Sequence, residues 1–139
     1  GVPPEEIVAI TFTNNAASVM YERLGYPNGL FIGTIHSYCN YLLRGNAIDT
    51  SKIIQEERFD ELFKEIRRNP NCIKHVTHLI SDESQDVSTE QFEFYEMINP
   101  DNYMYFYDIR QELYRWRGSD SDYLIRKELE DDVVVFHMR

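Results

Sequence analysis

Positive charge is scarce in this sequence. Its 14 lysines and arginines are outnumbered by 24 aspartates and glutamates, which gives a formal net charge of −10 at pH 7. Proteins that bind nucleic acid over a broad surface are usually basic, because they must neutralise phosphates. The composition therefore argues against a general nucleic-acid-binding surface, while local contacts stay open.

Long apolar runs and cysteine pairs are also missing. No run approaches the ~20 apolar residues that span a bilayer, and the amino terminus lacks the pattern of a signal peptide. The two cysteines, Cys39 and Cys72, lie far apart and form no metal-binding pair. These absences predict a cytoplasmic protein with reduced thiols and no membrane contact. The length of 139 residues predicts one domain, spanning residues 1–139.

Hydrophobic patterning predicts a chain of alternating strands and helices. Short β-branched and aromatic runs predict buried strands at residues 7–12, 30–35, 76–80, 103–107 and 133–136. Apolar residues at helical spacing predict a helix capped by Asn14 or Asn15 and further helices at 36–44, 54–68, 88–98 and 122–129. This alternation predicts an α/β fold with a mainly parallel sheet and helices on both faces.

The most informative stretch is an acidic cluster that follows the predicted strand at residues 76–80. It contains the adjacent carboxylates Asp82 and Glu83, and Ser88 with Gln91 fits a capping box that starts the next helix. The carboxyl ends of buried strands are where open α/β sheets bind ligands. Two adjacent acids there suit a hydrated Mg²⁺ and an attacking water, which nucleotide hydrolysis needs. Alone, such a pair is more often a solvated turn.

Three further stretches accompany the acidic cluster. The four motifs are Thr-Phe-Thr-Asn-Asn-Ala-Ala at 11–17, Gly-Thr-Ile-His at 33–36, Asp-Glu-Ser-Gln-Asp at 82–86 and Gln-Glu-Leu-Tyr-Arg-Trp-Arg-Gly at 111–118. In this order they resemble the first RecA-like domain of superfamily 1 DNA helicases of the UvrD/Rep/PcrA type. The resemblance covers nearly the whole chain. It implies an incomplete RecA-like, P-loop NTPase domain from an enzyme that uses ATP and Mg²⁺ to move along single-stranded DNA and separate strands.

The resemblance assigns nucleotide roles to individual residues. Asp82 would bind Mg²⁺, Glu83 would polarise the attacking water, and Gln111 would sense the γ-phosphate. Three more residues are expected to couple to or contact the nucleotide, namely Gln85, Asp86 and Arg139. The chain departs from the family at Ser84, where relatives often carry an aromatic residue, and at Tyr107, where they carry glycine.

The resemblance also implies a DNA face. Its eight residues are Phe12, Thr13, Asn14, Thr34, His36, Tyr114, Trp116 and Arg117. An aromatic side chain at a strand end can stack on a base, which is worth roughly 1–3 kcal/mol per base. Trp116 is the only tryptophan and lies between two arginines, an arrangement that suits stacking together with phosphate contact. Without the resemblance, Phe12 and Trp116 would be assigned to the core, and His36 to a helix cap.

Parts of the family pattern are missing from these 139 residues. No Gly-x-x-x-x-Gly-Lys-Ser/Thr phosphate loop occurs, and there is no second RecA-like domain. A single predicted helix at residues 54–68 takes the place of a larger inserted domain. We therefore expect a fragment of a longer helicase or a truncated homologue, which works with the remaining helicase domains and alone does not hydrolyse ATP. The alternatives are a non-catalytic, helicase-derived binding module and a generic flavodoxin-like domain with coincidental motifs.

Overall fold

Four parallel strands form the sheet at the centre of the protein, in a computed structural model that describes residues 1–107, 121–130 and 132–135. The strands are β1 (Ile7–Thr11), β2 (Phe31–Thr34), β3 (His78–Ser81) and β4 (Asn102–Tyr105). Their order across the sheet is β2-β1-β3-β4, and every neighbouring pair is parallel. The carboxyl ends of all four strands therefore meet at one edge of the sheet.

Helices connect the strands. Over the described ranges they are α1 (Asn14–Arg23), α2 (Ile35–Gly45), α3 (Ser51–Gln55), α4 (Glu61–Arg68), α5 (Thr89–Ile98) and α6 (Ser121–Glu128). Single turns of 3-10 helix lie at Pro4–Glu6, Pro70–Cys72 and Ser84–Asp86. None of the described helices has both the length and the apolar composition needed to cross a membrane.

The helices lie on both faces of the sheet. The chain moves outward from β1 to β2 and then returns past β1 to β3 and β4. Because crossovers between parallel strands are right-handed, this reversal places α1 on one face and α2 to α5 on the other. The structure thus confirms the predicted α/β fold with a parallel sheet. It also confirms the capping box, since Ser88 and Gln91 exchange both hydrogen bonds at the start of α5.

The larger part of the core lies between the sheet and helices α2, α4 and α5. Val8 and Ile10 from β1 and Leu79 from β3 are almost completely buried there. The rings of Phe63 and Phe94 pack against each other at a centroid distance of 5.6 Å, which joins α4 to α5. Burying such side chains stabilises the fold by about 1.5–3 kcal/mol each. This packing fixes the positions of the strand ends that carry the candidate site.

Two elements differ from the sequence-based expectation. The helix predicted at residues 54–68 is two helices, because α3 ends at Gln55 and Glu57 takes a left-handed conformation with φ of 54°. Its amide group donates back to the Ile54 carbonyl, which closes a turn before α4 begins at Glu61. The strand predicted at 133–136 is also wrong for its described part, since residues 133–135 form no strand. Their β-branched side chains favour a strand, but no sheet edge is paired with them.

Candidate functional site

The carboxyl edge of the sheet gathers predicted site residues from three strands. Phe12, Thr13 and Asn14 follow β1, and Thr34 ends β2. Asp82 and Glu83 follow β3. Because Thr11 pairs with Thr34 and Ile10 with Ser81, these segments leave the sheet at the same level. The structure thus brings these residues to the carboxyl ends of three neighbouring strands. Their assignments to DNA and to the nucleotide stay predictions.

The acidic loop is held by backbone hydrogen bonds that continue the sheet beyond its strands. The Asp82 amide donates to the Ile10 carbonyl at 2.9 Å. On the other side, the Phe106 amide donates to Ser81 and the Ser84 amide donates to Phe106, each at 2.9 Å. The loop is therefore tied to the ends of both β1 and β4, and its carboxylates project from a fixed backbone.

The two adjacent carboxylates have different environments. Asp82 is half-buried, and its Oδ1 accepts a hydrogen bond from the Glu83 amide at 2.9 Å. Glu83 is exposed and has a left-handed backbone with φ of 52°. Such conformations cost about 1–3 kcal/mol in residues other than glycine and concentrate at functional sites. The left-handed backbone at Glu83 turns the chain sharply between Asp82 and the 3-10 turn at Ser84–Asp86.

A buried polar network lies behind the acidic loop. The Ser84 hydroxyl donates to the Ser81 carbonyl at 2.7 Å, and the Ser81 hydroxyl lies 3.0 Å from that of Tyr95. All three side chains are fully buried, and burial raises the pKa of Tyr95 far above its usual range. An aromatic residue at position 84, as in many relatives, would not fit this space without rearrangement. Serine at position 84 is therefore explained by the packing around it.

The remaining residues of the acidic motif face inward. Gln85 is almost completely buried, and its side-chain amide donates to Oε2 of Glu83. Asp86 is also buried. Helix α6 packs against this turn and inserts Leu124 into the core. Gln85 is thus placed to orient the Glu83 carboxylate from behind.

A second feature of the same edge is an open cleft of about 510 Å³ between the ends of β1 and β2, which we call the β1–β2 cleft. Its lining residues are Phe12, Thr13, Asn14, Thr34, His36, Ser37, Asn40, Ile54 and Phe59. The cleft brings together every residue of the predicted DNA face that the structure describes. Phe12 is 37% exposed, so it is a surface residue and not part of the core.

Two helices begin at the β1–β2 cleft. The Thr13 hydroxyl accepts from the Ala16 amide at 3.1 Å and caps α1, so the expected cap at Asn14 or Asn15 is wrong. Thr13 is extended, as N-cap residues typically are, while Asn14 is already helical. Thr34 caps α2 in the same way through the Ser37 amide. Both positive helix ends therefore point towards one cleft.

His36 forms part of the cleft wall in α2. Its ring lies between Phe59, at a centroid distance of 5.6 Å, and Phe63, at 5.3 Å. Nε2 is buried and lies 3.7 Å from Oδ1 of Asp60, beyond hydrogen-bonding distance. Burial lowers the pKa of His36, and the nearby Asp60 offsets part of this effect. His36, which was expected either to cap a helix or to contact DNA, thus carries a mainly neutral ring near pH 7.

Phe59 and Ile54 line the β1–β2 cleft, although the sequence motifs did not predict them as site residues. Phe59 falls within the helix predicted at residues 54–68, but it precedes α4 and is 37% exposed in the cleft. Ile54 reaches the same cleft from α3 and is also exposed. The available signal was the polar pair Asp60 and Glu61, which begins a new helix immediately after Phe59.

Five predicted site residues lie outside the described ranges. They are Gln111, Tyr114, Trp116, Arg117 and Arg139. Their assignments to the nucleotide and to DNA stay predictions.

The acidic loop has the donors that a hydrated Mg²⁺ requires. Magnesium in nucleotide sites is usually held by one or two carboxylates, together with phosphate oxygens and water. Asp82 and Glu83 supply such carboxylates at the rim of the sheet. Within the described ranges, no cluster of three or more histidine, cysteine, aspartate or glutamate side chains could hold a metal ion. The residues therefore fit an ion shared with a bound phosphate and do not form a metal cage of their own.

Comparisons with known proteins identify the family to which the chain is similar. The family model described as "UvrD/REP helicase N-terminal domain" matches residues 1–75 and 46–131. DNA helicase II of Escherichia coli (strain K12) is 38% identical over 53 residues, and DNA helicase II of Salmonella typhimurium (strain LT2) gives the same values. Each alignment covers 34% of this chain and 7% of the relative, so the match spans a small part of those proteins.

Proposed function

Because this chain belongs to the UvrD/REP helicase N-terminal domain family, we propose that it is part of an ATP-dependent helicase that moves along single-stranded DNA. In this proposal the β1–β2 cleft binds the DNA strand and the acidic loop acts on the nucleotide. The remaining helicase domains are its partners. The observation that carries the proposal is the convergence of Phe12, Thr13, Thr34 and Phe59 on one open cleft beside the acidic loop.

The cleft offers surfaces for unpaired bases. Phe12 and Phe59 are each 37% exposed and line the same space, and Ile54 adds apolar surface between helices. Base stacking on an aromatic ring is worth about 1–3 kcal/mol per base and tolerates any base. Such stacking needs bases that are not paired in a duplex. The proposed ligand is therefore a single strand, bound without sequence preference.

The cleft also offers positive potential in an acidic protein. The amino ends of α1 and α2 both meet it, and each carries about half a positive charge. Amide groups at helix starts bind phosphate well. Two helix ends supply less attraction than an array of lysines, so we expect weak binding that salt reduces further.

The acidic loop is the proposed nucleotide side. Asp82 would hold Mg²⁺, and Glu83 would accept a proton from the attacking water. A bound magnesium ion supplies charge neutralisation for the phosphates. Gln85 would keep the Glu83 carboxylate in place through its hydrogen bond. The sequence has no Gly-Lys phosphate loop, so we propose that these 139 residues alone do not hydrolyse ATP.

A second candidate is a non-catalytic binding module derived from a helicase, which would act through DNA or protein contacts. Both candidates use the β1–β2 cleft for DNA or protein contacts. The coding sequence upstream of Gly1 separates them. A phosphate loop encoded there supports the motor, and a start codon directly before Gly1 supports the module.

Fluorescence anisotropy with a labelled oligothymidine tests the cleft. We expect Phe59→Ala to weaken binding about tenfold, since loss of one stacked base costs about 1–3 kcal/mol. Phe106→Ala is the matched control, because Phe106 is 38% exposed and lies outside the cleft. Equal affinities for the wild type and Phe59→Ala, or an equal loss in Phe106→Ala, would overturn the assignment of the DNA site.

A further inference from the structure

His75 lies between two carboxylates at the amino edge of the sheet, the edge opposite the candidate site. Its Nδ1 is 3.4 Å from Oε1 of Glu6, and its Nε2 is 3.2 Å from Oδ2 of Asp101. Glu6 directly precedes β1, His75 lies shortly before β3, and Asp101 directly precedes β4. One imidazole ring thus joins the segments that enter three of the four strands.

Further hydrogen bonds fix the geometry around this ring. The second carboxylate oxygen of Glu6 accepts from the Thr77 hydroxyl at 2.7 Å, and the Glu6 carbonyl accepts from the Thr77 amide at 2.8 Å. The Asp101 amide donates to the Val76 carbonyl at 3.1 Å. Glu6 is held through its carboxylate and its carbonyl, and Asp101 through its backbone amide, so the approach of both residues to the ring follows from the fold.

The two contacts require a particular protonation state. A neutral imidazole carries one N–H group and one acceptor nitrogen, whereas ionised carboxylates only accept. Only the imidazolium can donate to Glu6 and Asp101 at the same time. We propose that His75 is a proton-operated clasp, which ties the entries of β1, β3 and β4 together when its ring is charged and releases one of them when it is neutral.

The charges around the ring favour the clasped state. Asp101 and Glu6 both raise the pKa of His75 above its ordinary value, and the contacts with Thr77 and His75 lower the pKa of Glu6. The neighbouring cation, Lys74, is turned away and donates to the Tyr41 hydroxyl at 2.9 Å. Among the residues that the structure describes, Glu6, Asp101 and Lys74 are charged groups that face or flank the clasp.

The clasp is not a metal site. The two carboxylates face opposite nitrogens of the ring, so one ion cannot contact all three side chains. The ring itself occupies the position between them.

The pH range over which the clasp acts follows from the shifted pKa values of His75 and Glu6. His75 has a raised pKa, so its contribution to stability is complete below about pH 6.5 and is lost as the pH rises through the folded-state value. Glu6 has a lowered pKa, so its contribution is present at neutral pH and is lost in acid as the pH falls through its folded-state value. The clasp therefore strengthens the fold most in mildly acidic solution and loosens as the pH rises through the raised pKa of His75.

Histidine titration by NMR tests the proposal on the 139-residue chain. We expect the resonance lost in His75→Gln to titrate with a pKa above 6.5, and both Glu6→Gln and Asp101→Asn to lower that value. Glu22→Gln is the control, because it removes the same charge from an exposed position on α1. A His75 pKa at or below 6.5, or one that neither clasp variant lowers, would overturn the proposal.

A second measurement reports the effect on the fold. Between about pH 6 and pH 8, where histidine changes charge, the melting temperature of the wild type should fall further than that of His75→Gln. This comparison remains valid if the variant is less stable, because only the pH dependence is compared. Parallel pH profiles for the two proteins would contradict the clasp.

Discussion

The buried network behind the acidic loop leads to a double-mutant prediction. The Ser81 hydroxyl lies 3.0 Å from the Tyr95 hydroxyl and 3.0 Å from that of Ser84, with all three fully buried. Ser81 directly precedes Asp82, so the network supports the start of the loop that carries the candidate catalytic acids. We expect Ser81→Ala and Tyr95→Phe to destabilise the protein by unequal amounts and to do so non-additively.

The magnitudes follow from what each substitution leaves behind. Ser81→Ala leaves the Tyr95 hydroxyl buried without its partner, which costs about 1–3 kcal/mol. Tyr95→Phe costs only about 0.5–1.5 kcal/mol, because the Ser81 hydroxyl keeps its contact with Ser84. In the double variant no unpaired phenol remains. Its cost should therefore fall below the sum of the two single values by about 1 kcal/mol or more.

Urea unfolding followed by far-ultraviolet circular dichroism measures all three variants. Ser18→Ala, on the exposed surface of α1, is the control and should change stability by less than about 0.5 kcal/mol. Contacting residues are expected to show coupling, whereas independent sites add within roughly 0.3–0.5 kcal/mol. Additive costs for Ser81→Ala and Tyr95→Phe would refute the network as described.

Three further predictions concern the nucleotide, a turn and a cap. The purified chain should show no magnesium-dependent ATP hydrolysis in a phosphate-release assay; activity that Glu83→Gln abolishes would contradict this. Glu57→Gly should raise stability in urea by about 0.5–1 kcal/mol, because it removes left-handed strain of about 1–2 kcal/mol at some cost in chain entropy. Glu56→Gly, where φ is negative, should lower stability, and equal effects would refute the strain argument. Ser88→Ala should cost about 0.5–2 kcal/mol and Ser88→Asp much less, since aspartate also caps; equal losses would argue against the cap.

Local sequence signals predicted the sheet and most helices correctly. The runs at β1 and β3 are short, apolar and bounded by polar residues, which is typical of buried parallel strands. Ser88 and Gln91 form the capping box that their spacing predicts. In each of these cases, neighbouring residues contain the whole signal.

The wrong predictions have physical causes that cannot be read from neighbouring residues alone. The turn between α3 and α4 depends on a left-handed glutamate at position 57, where glycine would have been the recognisable residue. Val133 favours a strand, but strand formation needs a partner edge. The contact between Glu6 and His75 joins residues that are distant in sequence, so only the folded topology brings them together.

The candidate site was predictable to a similar extent. Hydrophobic patterning predicted the two acids at the carboxyl end of one buried strand and Phe12 at the end of another, and the parallel pairing seen in the structure brings both ends to one edge of the sheet. Phe59 could not be placed, because its exposure depends on the break between two helices. A hydrophobic residue at helical spacing more often lies in the core. Phe59 is exposed because it lies just before the start of α4.

Chemical-shift mapping of the isotope-labelled chain with a short oligothymidine tests the DNA-binding cleft most directly. We expect the largest shifts on Thr13, Thr34, Ser37 and Phe59, around the β1–β2 cleft, and we expect added salt to reverse them. Shifts confined to the opposite edge of the sheet, around His75 and Asp101, would contradict this prediction.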